Sequence, residues 1–400
     1  MMVVIPLLCV AIVLLQYRAK QLMAPASINA MIWLAVSLTY QLQGSSLDVL
    51  RWDAIAVVLL GIACFSFGAV FSERIDFTLP QPSRSGGAPS FFLPALLGVL
   101  TVGLVGNLGR SLEYVHFVDG MNLFGGQNSW YGSLRNTLIA DHHGSFGIWS
   151  YFLPLSYAAA AYLLCDQGKA TRYYAIVASL ITFCFVFLAT GRTFVLLFVT
   201  ILFVIAAYRG WLNKTRSIAL LIPMFLVVFW VSPIIAGRVS GGGFNYFMMY
   251  FVAPLANFDW GMNGVFTCCT YGVTTFRTVF AVLAKLGFNV PVVELIQPWA
   301  ETKLSGNVYT VFMPYYRDFG AAGVALFLFF FGALHTWVYK QASLDNTLAV
   351  FLNAILFYAL VMQFFQDQYF SLLSQWIQMI FWMCLLLWIR PIRRSSFQRG

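Results

Sequence analysis

About eleven long, almost uncharged apolar runs set the limits on what this chain can become. They fall at 2–15, 28–43, 54–72, 91–109, 147–165, 174–190, 193–208, 218–235, 319–338, 347–366 and 371–389. A helix crossing a bilayer needs roughly 20 largely apolar residues. The first and seventh runs are short, and the others approach or reach that length. The runs are continuous rather than alternating, which argues against a membrane β-barrel. Only 9% of the 400 residues are charged and 60% are hydrophobic. A soluble domain carries roughly a quarter charged residues and could not cover its surface with so few. The expected fold is an all-α polytopic membrane protein, with residues 1–400 forming one integral membrane domain.

The net charge of +9 invites a nucleic-acid reading, but its placement points elsewhere. Threading eleven spans with the C-terminus inside leaves nine cations outside: Arg51, Arg110, Arg135, Arg192, Arg238, Arg277, Lys285, Lys303 and Arg317. The remaining Lys and Arg cluster in short inner loops and the C-terminal tail. That bias is the usual orientation signal of membrane proteins, so no nucleic-acid partner is expected. No positive segment precedes the first run, so it reads as a retained span rather than a cleaved leader. Cys9, Cys64, Cys165, Cys184 and Cys384 lie in or beside the runs, and the adjacent Cys268–Cys269 pair has no spaced metal-ligand partners.

Most connections are short, but two outer segments, 110–146 and 236–318, are long. Loops of this length inside a compact protein tend to be functional. Both are rich in aromatic residues and are expected to fold back onto the membrane surface as a cap. Within the second, Phe276, Val279, Phe280, Leu283 and Leu286 repeat at helical spacing, with Arg277 and Lys285 projecting elsewhere. The pattern fits a helix lying in the headgroup plane, or a cap helix packed on the bundle. Either reading places the two cations near lipid phosphates.

The candidate site residues cluster at the outer ends of the runs. Ser305-Gly306-Asn307-Val308-Tyr309-Thr310 precedes Tyr315-Tyr316-Arg317-Asp318-Phe319-Gly320 and a span. Polar groups held at membrane depth are costly and mark function more often than packing. A planar guanidinium such as Arg317 suits phosphate oxygens. Asp318 reads either as a functional carboxylate or as the N-terminal charge of the ninth span, paired with its neighbour. Arg192, in the tight Thr190-Gly191-Arg192-Thr193 hairpin, is a ligand candidate or a snorkelling anchor. Arg238 precedes a Gly241-Gly242-Gly243 run that serves as an anion cradle or a hinge. His142 and His143 are possible bases or sugar contacts. Glu294 and Glu301 flank Pro298-Trp299, where the indole offers a stacking surface for a sugar ring. No Asp-x-Asp pair is present, so no metal or other cofactor is expected. Outer arginines without a compensating acidic cluster suggest an anionic substrate: a diphosphate, a phospholipid or an acidic sugar.

Three stretches together resemble the Wzy-type O-antigen polymerase family, the oligosaccharide repeat-unit polymerases of bacterial inner membranes. They are Thr190-Gly191-Arg192-Thr193, Tyr250 through Asp259 with its Pro254 and Phe258-Asp259, and Asn307-Val308-Tyr309-Thr310 leading to Asp318-Phe319-Gly320 and Gly323. The resemblance implies a membrane glycosyltransferase of the GT-C kind in the bacterial inner membrane, with its active site under periplasmic loops. Its substrates would be undecaprenyl-diphosphate-linked oligosaccharides, as both donor and acceptor, and a polysaccharide chain-length regulator would be a partner. In that reading Arg192, Arg238 and Arg317 bind diphosphate, with Arg277 as a supporting cation. Asn307, Tyr309 and Thr310 orient sugar or phosphate, and Asp318, Glu301, His142 or His143 serves as base. The rival readings are an O-antigen ligase, which shares the donor, and a transporter of lipid-linked oligosaccharide.

Overall fold

The computed structural model describes residues 3–18, 24–79, 91–115, 121–124, 128–140, 146–166, 169–212, 228, 243–266, 270–294 and 297–389. Among them the chain is helical, without strands. The helices are α1 (Val4–Arg18), α2 (Pro25–Gln43), α3 (Trp52–Glu73), α4 (Phe92–Tyr114), α5 (Trp130–Arg135), α6 (Phe152–Cys165), α7 (Lys169–Leu188) and α8 (Arg192–Tyr208). After them come α9 (Gly243–Phe251), α10 (Ala253–Trp260), α11 (Arg277–Lys285), α12 (Phe312–Ser343), α13 (Thr347–Val361) and α14 (Leu373–Ile389).

Among the described residues six helical segments are long and apolar enough to cross a membrane: Trp52–Glu73, Phe92–Tyr114, Gly147–Cys165, Thr171–Leu188, Phe312–Ser343 and Thr347–Phe364. Three shorter apolar helices, α1, α8 and α14, accompany them. This is a membrane-embedded protein. The second apolar run forms α2, which is long enough but carries Ser27, Asn29, Ser37 and Thr39 and is not among the six. The eighth run, 218–235, lies almost wholly outside the described residues.

The chain divides into two compact units. The first comprises Met1–Thr78, Asn245–Gln341 and Leu356–Ser374. In it α3 and α12 cross closely, where small residues let two backbones meet. A Cβ built on Gly68 would collide with the Phe329 carbonyl, and one on Gly332 with that of Phe65. Close small-residue crossings are a standard way for helices to associate in lipid. At the end of α3, Lys340 Nζ donates to the carbonyls of Glu73 (2.9 Å) and Ile75 (3.1 Å). The cation there satisfies otherwise orphaned helix-end carbonyls and opposes the helix dipole. Beyond the other end of the helix bundle, Lys303 Nζ donates to the Ser45 carbonyl at 3.0 Å. Arg51 Nε meets Asp259 Oδ1 at 2.9 Å.

The second unit comprises Leu79–Phe244, Ala342–Ile355 and Gln375–Gly400. Here α6 buries Ala158 through Ala161 completely. Thr182 Oγ1 of α7 donates to the Ser156 carbonyl at 3.1 Å, and Tyr157 hydroxyl to that of Phe194 at 3.0 Å. Val115, Trp130, Leu134 and Leu188 form a further small core.

Candidate functional site

The site begins with a broken helix. In α12, Gly320 adopts φ 64° and ψ −157°, a conformation that side chains beyond glycine essentially never adopt. The break separates a short leading segment, with Arg317 and Asp318, from the long apolar part that follows. The short segment begins at Phe312, and Arg317 and Asp318 lie in it just before the break.

Asn257, fully buried, ties two of the sequence motifs together. Its Nδ2 donates to the Val308 carbonyl at 2.9 Å, and its Oδ1 accepts from Thr302 Oγ1 at 2.9 Å. Tyr309 hydroxyl donates to the Pro298 carbonyl at 2.9 Å, and Val311 N–H to that of Gln363 at 2.8 Å. Burial raises the Tyr309 phenol above its ordinary value. These bonds hold the 300–311 segment against the turn after α13.

Between these pieces, within the first unit, lies a cavity of ≈ 300 Å³. Its wall includes Thr274, Arg277, Glu294, Asn307, Thr310, Arg317 and Asp367. Arg317 is held by an aromatic face, its guanidinium carbon 4.9 Å from the centre of the Phe266 ring. Its Nη1 donates to Gln297 Oε1 at 3.3 Å, while its Nε is buried and has no partner. Thr274 Oγ1 and Thr310 Oγ1 are likewise buried and unpartnered. Arg277 Nε donates to the Val293 carbonyl at 2.8 Å. Buried polar atoms without partners are few in folded proteins and cost about 1–3 kcal/mol each. Three such atoms come from residues that line one cavity together with two guanidinium groups.

The two cavity carboxylates differ. Asp367 accepts from Tyr315 hydroxyl (2.6 Å), from the backbone N–H of Tyr369, Phe370 and Ser371, and from Ser371 Oγ. Burial pushes its carboxyl up, opposed by these bonds. It organises the turn. Glu294 makes no side-chain hydrogen bond or ion pair among the described residues and is exposed at the rim.

Of the residues singled out from sequence, Arg277, Asn307, Tyr309, Thr310 and Arg317 converge on this cavity. Asp318 is buried, but its carboxylate accepts from Thr270 Oγ1 and from the N–H groups of Thr274 and Thr275. The local Arg317–Asp318 ion pair does not form; Asp318 anchors the 270–275 turn instead and is absent from the cavity wall. Glu301 is exposed and does not line the cavity. Arg192 belongs to the second unit, opening α8 after Thr190, which adopts φ 55°. In that unit Arg135 Nη1 donates to the Thr190 carbonyl at 2.7 Å. Both arginines oppose the burial-driven rise of the Tyr131 phenol. His142, His143 and Arg238 lie outside the described residues, as do Cys268 and Cys269.

Sequence reasoning missed Thr274, Gln297 and Asp367. Asp367 had a visible signal: Gln366-Asp367-Gln368 is a polar triplet wedged between two apolar runs. Thr274 had none, since nothing in its neighbourhood distinguishes it from an ordinary loop threonine.

No protein-family model matches the chain, and no curated protein or solved structure is significantly similar to it.

Proposed function

We propose that this protein polymerises lipid-linked oligosaccharide repeat units at the outer face of the bacterial inner membrane. A glycan on undecaprenyl diphosphate is transferred to the non-reducing end of an incoming undecaprenyl-diphosphate-linked unit. The proposal includes eleven spans, a GT-C-like arrangement, a periplasmic site and a chain-length regulator as partner. The observation that supports it best is the buried, unpartnered Arg317 Nε, beside Arg277 and two free threonine hydroxyls in one cavity.

In the reaction, the acceptor hydroxyl oxygen attacks the donor's anomeric carbon and forms the new glycosidic bond. The bond from that carbon to the diphosphate oxygen breaks, and the diphosphate leaves with the electron pair. Arg317 and Arg277 stabilise the charge that grows on it, the usual large contribution of preorganised donors. The hydroxyl proton passes to a carboxylate, and Glu294 is the cavity carboxylate free to accept it. Asn307 and Thr310 orient sugar hydroxyls. Arg192, Arg238, Glu301 and His143 stay secondary candidates.

The test is a reconstitution in lipid nanodiscs with a defined undecaprenyl-diphosphate-linked repeat unit, products being resolved by length. A ladder from the wild type, lost in Arg317→Ala, is expected. Transfer only onto added lipid A core would make the protein a ligase. Movement of the substrate across proteoliposomes without a ladder would make it a transporter.

A further inference from the structure

Helix α11 is amphipathic, and part of its apolar surface is turned outward. At 100° per residue, Arg277 stands almost opposite the ridge formed by Val279, Val282 and Leu286. Arg277 lines the cavity, whereas the ridge residues are 43%, 52% and 70% exposed. The apolar surface continues through Phe288 and Val292. A surface helix facing water turns its charges out and its apolar stripe in; α11 keeps Lys285 exposed and Phe280 and Leu283 half-buried, but it turns Arg277 to the cavity and Val279, Val282 and Leu286 outward. The outward ridge is exposed apolar surface, and the inward face presents a cation to the cavity.

The two faces meet at the cavity rim. Thr278 and Val293 line the cavity. Val282 lies one helical turn beyond Thr278, and Val292 immediately precedes Val293; both are exposed. A ligand whose anionic head is held by Arg277 and Arg317 thus has apolar side chains waiting where its tail must leave. We infer that α11 is the tail-binding wall of the site: the isoprenoid chain of a polyprenyl diphosphate leaves past Thr278 and Val293 and lies along Val282, Leu286 and Val292. The inference rests on the proposed use of a lipid diphosphate, but not on polymerisation. It makes lateral access from the bilayer the route by which substrate arrives.

The test is photo-crosslinking on the full chain in nanodiscs. A benzophenone amino acid replaces Val282, or Phe381 of α14, a lipid-facing control that is 58% exposed. The probe is radiolabelled undecaprenyl diphosphate in phosphatidylglycerol. Crosslinking at 282 is expected to exceed that at 381 by at least about tenfold, the ratio that separates a site from bulk lipid by roughly 1.4 kcal/mol. It should be competed by unlabelled undecaprenyl diphosphate, not by undecanol, and be lost with Arg277→Ala plus Arg317→Ala. Equal, uncompeted labelling at both positions would overturn the inference, since α11 would then touch lipid in general. So would labelling at 282 that survives loss of both arginines. Specific labelling at 282 in a protein that yields no glycan ladder would leave this inference standing and sink only the polymerase reading.

Discussion

Replacing Arg317 with methionine should separate catalysis from folding. In the resting protein the guanidinium has a stacked ring at 4.9 Å, one long hydrogen bond at 3.3 Å and an Nε with no partner. The stacking contributes about 0.5–2 kcal/mol. Removing a buried donor that lacks a partner returns a similar amount. Methionine fills much of the volume, so the fold should change by no more than about 1 kcal/mol, a melting shift of about 2–4 °C or less. Charge on the leaving diphosphate grows only as the glycosidic bond breaks, so the arginine's effect belongs mainly to the transition state. Loss of one such preorganised donor typically costs about 10²–10³-fold in kcat, or ~2.7–4 kcal/mol. Arg317→Lys should recover part of this, because it keeps the charge but not the planar fork. The assay is single-turnover transfer in nanodiscs alongside thermal unfolding of the same preparation. A kcat within about threefold of wild type, or a rise in KM alone, would refute transition-state stabilisation by this residue. A collapsed melting temperature with normal turnover per folded molecule would make Arg317 structural.

Asp318→Ala should lower stability by about 3 kcal/mol, since it strands the Thr270 hydroxyl and two backbone N–H groups at about 1–3 kcal/mol each; thermal unfolding reads this, and turnover per folded molecule should fall less than for Arg317→Met. Gly332→Leu should separate α3 from α12 and cost at least about 1–3 kcal/mol by overpacking, checked by unfolding in detergent; an unshifted melting curve would show that the crossing is loose. Burial raises the Tyr309 phenol above its unfolded value, so its stabilisation is fully present below about pH 10 and is lost as pH climbs toward the folded value. Tyr309→Phe should therefore cost about 1 kcal/mol at neutral pH, from the lost bond to Pro298, and flatten the stability profile above about pH 10. A wild-type profile already flat there would contradict the shift. Glu294→Gln should slow transfer at neutral pH without moving the melting temperature, and an unchanged rate would remove it as proton acceptor.

The apolar runs, the cation bias and the amphipathic stretch 276–286 were legible along the chain because each is a local property. Hydrophobicity and helical period act over one or two turns, and the cost of a bare charge in lipid does not depend on what lies across the bundle. The same locality explains the sequence-level weight on Asn307, Tyr309, Thr310 and Arg317, polar residues at the margin of a span, which now line one cavity. Partners are another matter. Asp318 looked like the cap of its own helix, yet its donors sit more than forty residues earlier, on the turn at 270–275. Arg277 looked like a headgroup cation, yet it faces the cavity and leaves the apolar ridge of α11 outside. Thr274 and Asp367 share a wall because the leading segment of α12 holds both, Asp318 accepting from the Thr274 N–H and Tyr315 donating to Asp367. Sequence by itself determined that this chain enters a membrane and where its costly polar groups stand. Tertiary structure alone decided which of those groups are satisfied by the protein and which are left without a partner, because satisfaction of a buried polar atom depends on what packs against it.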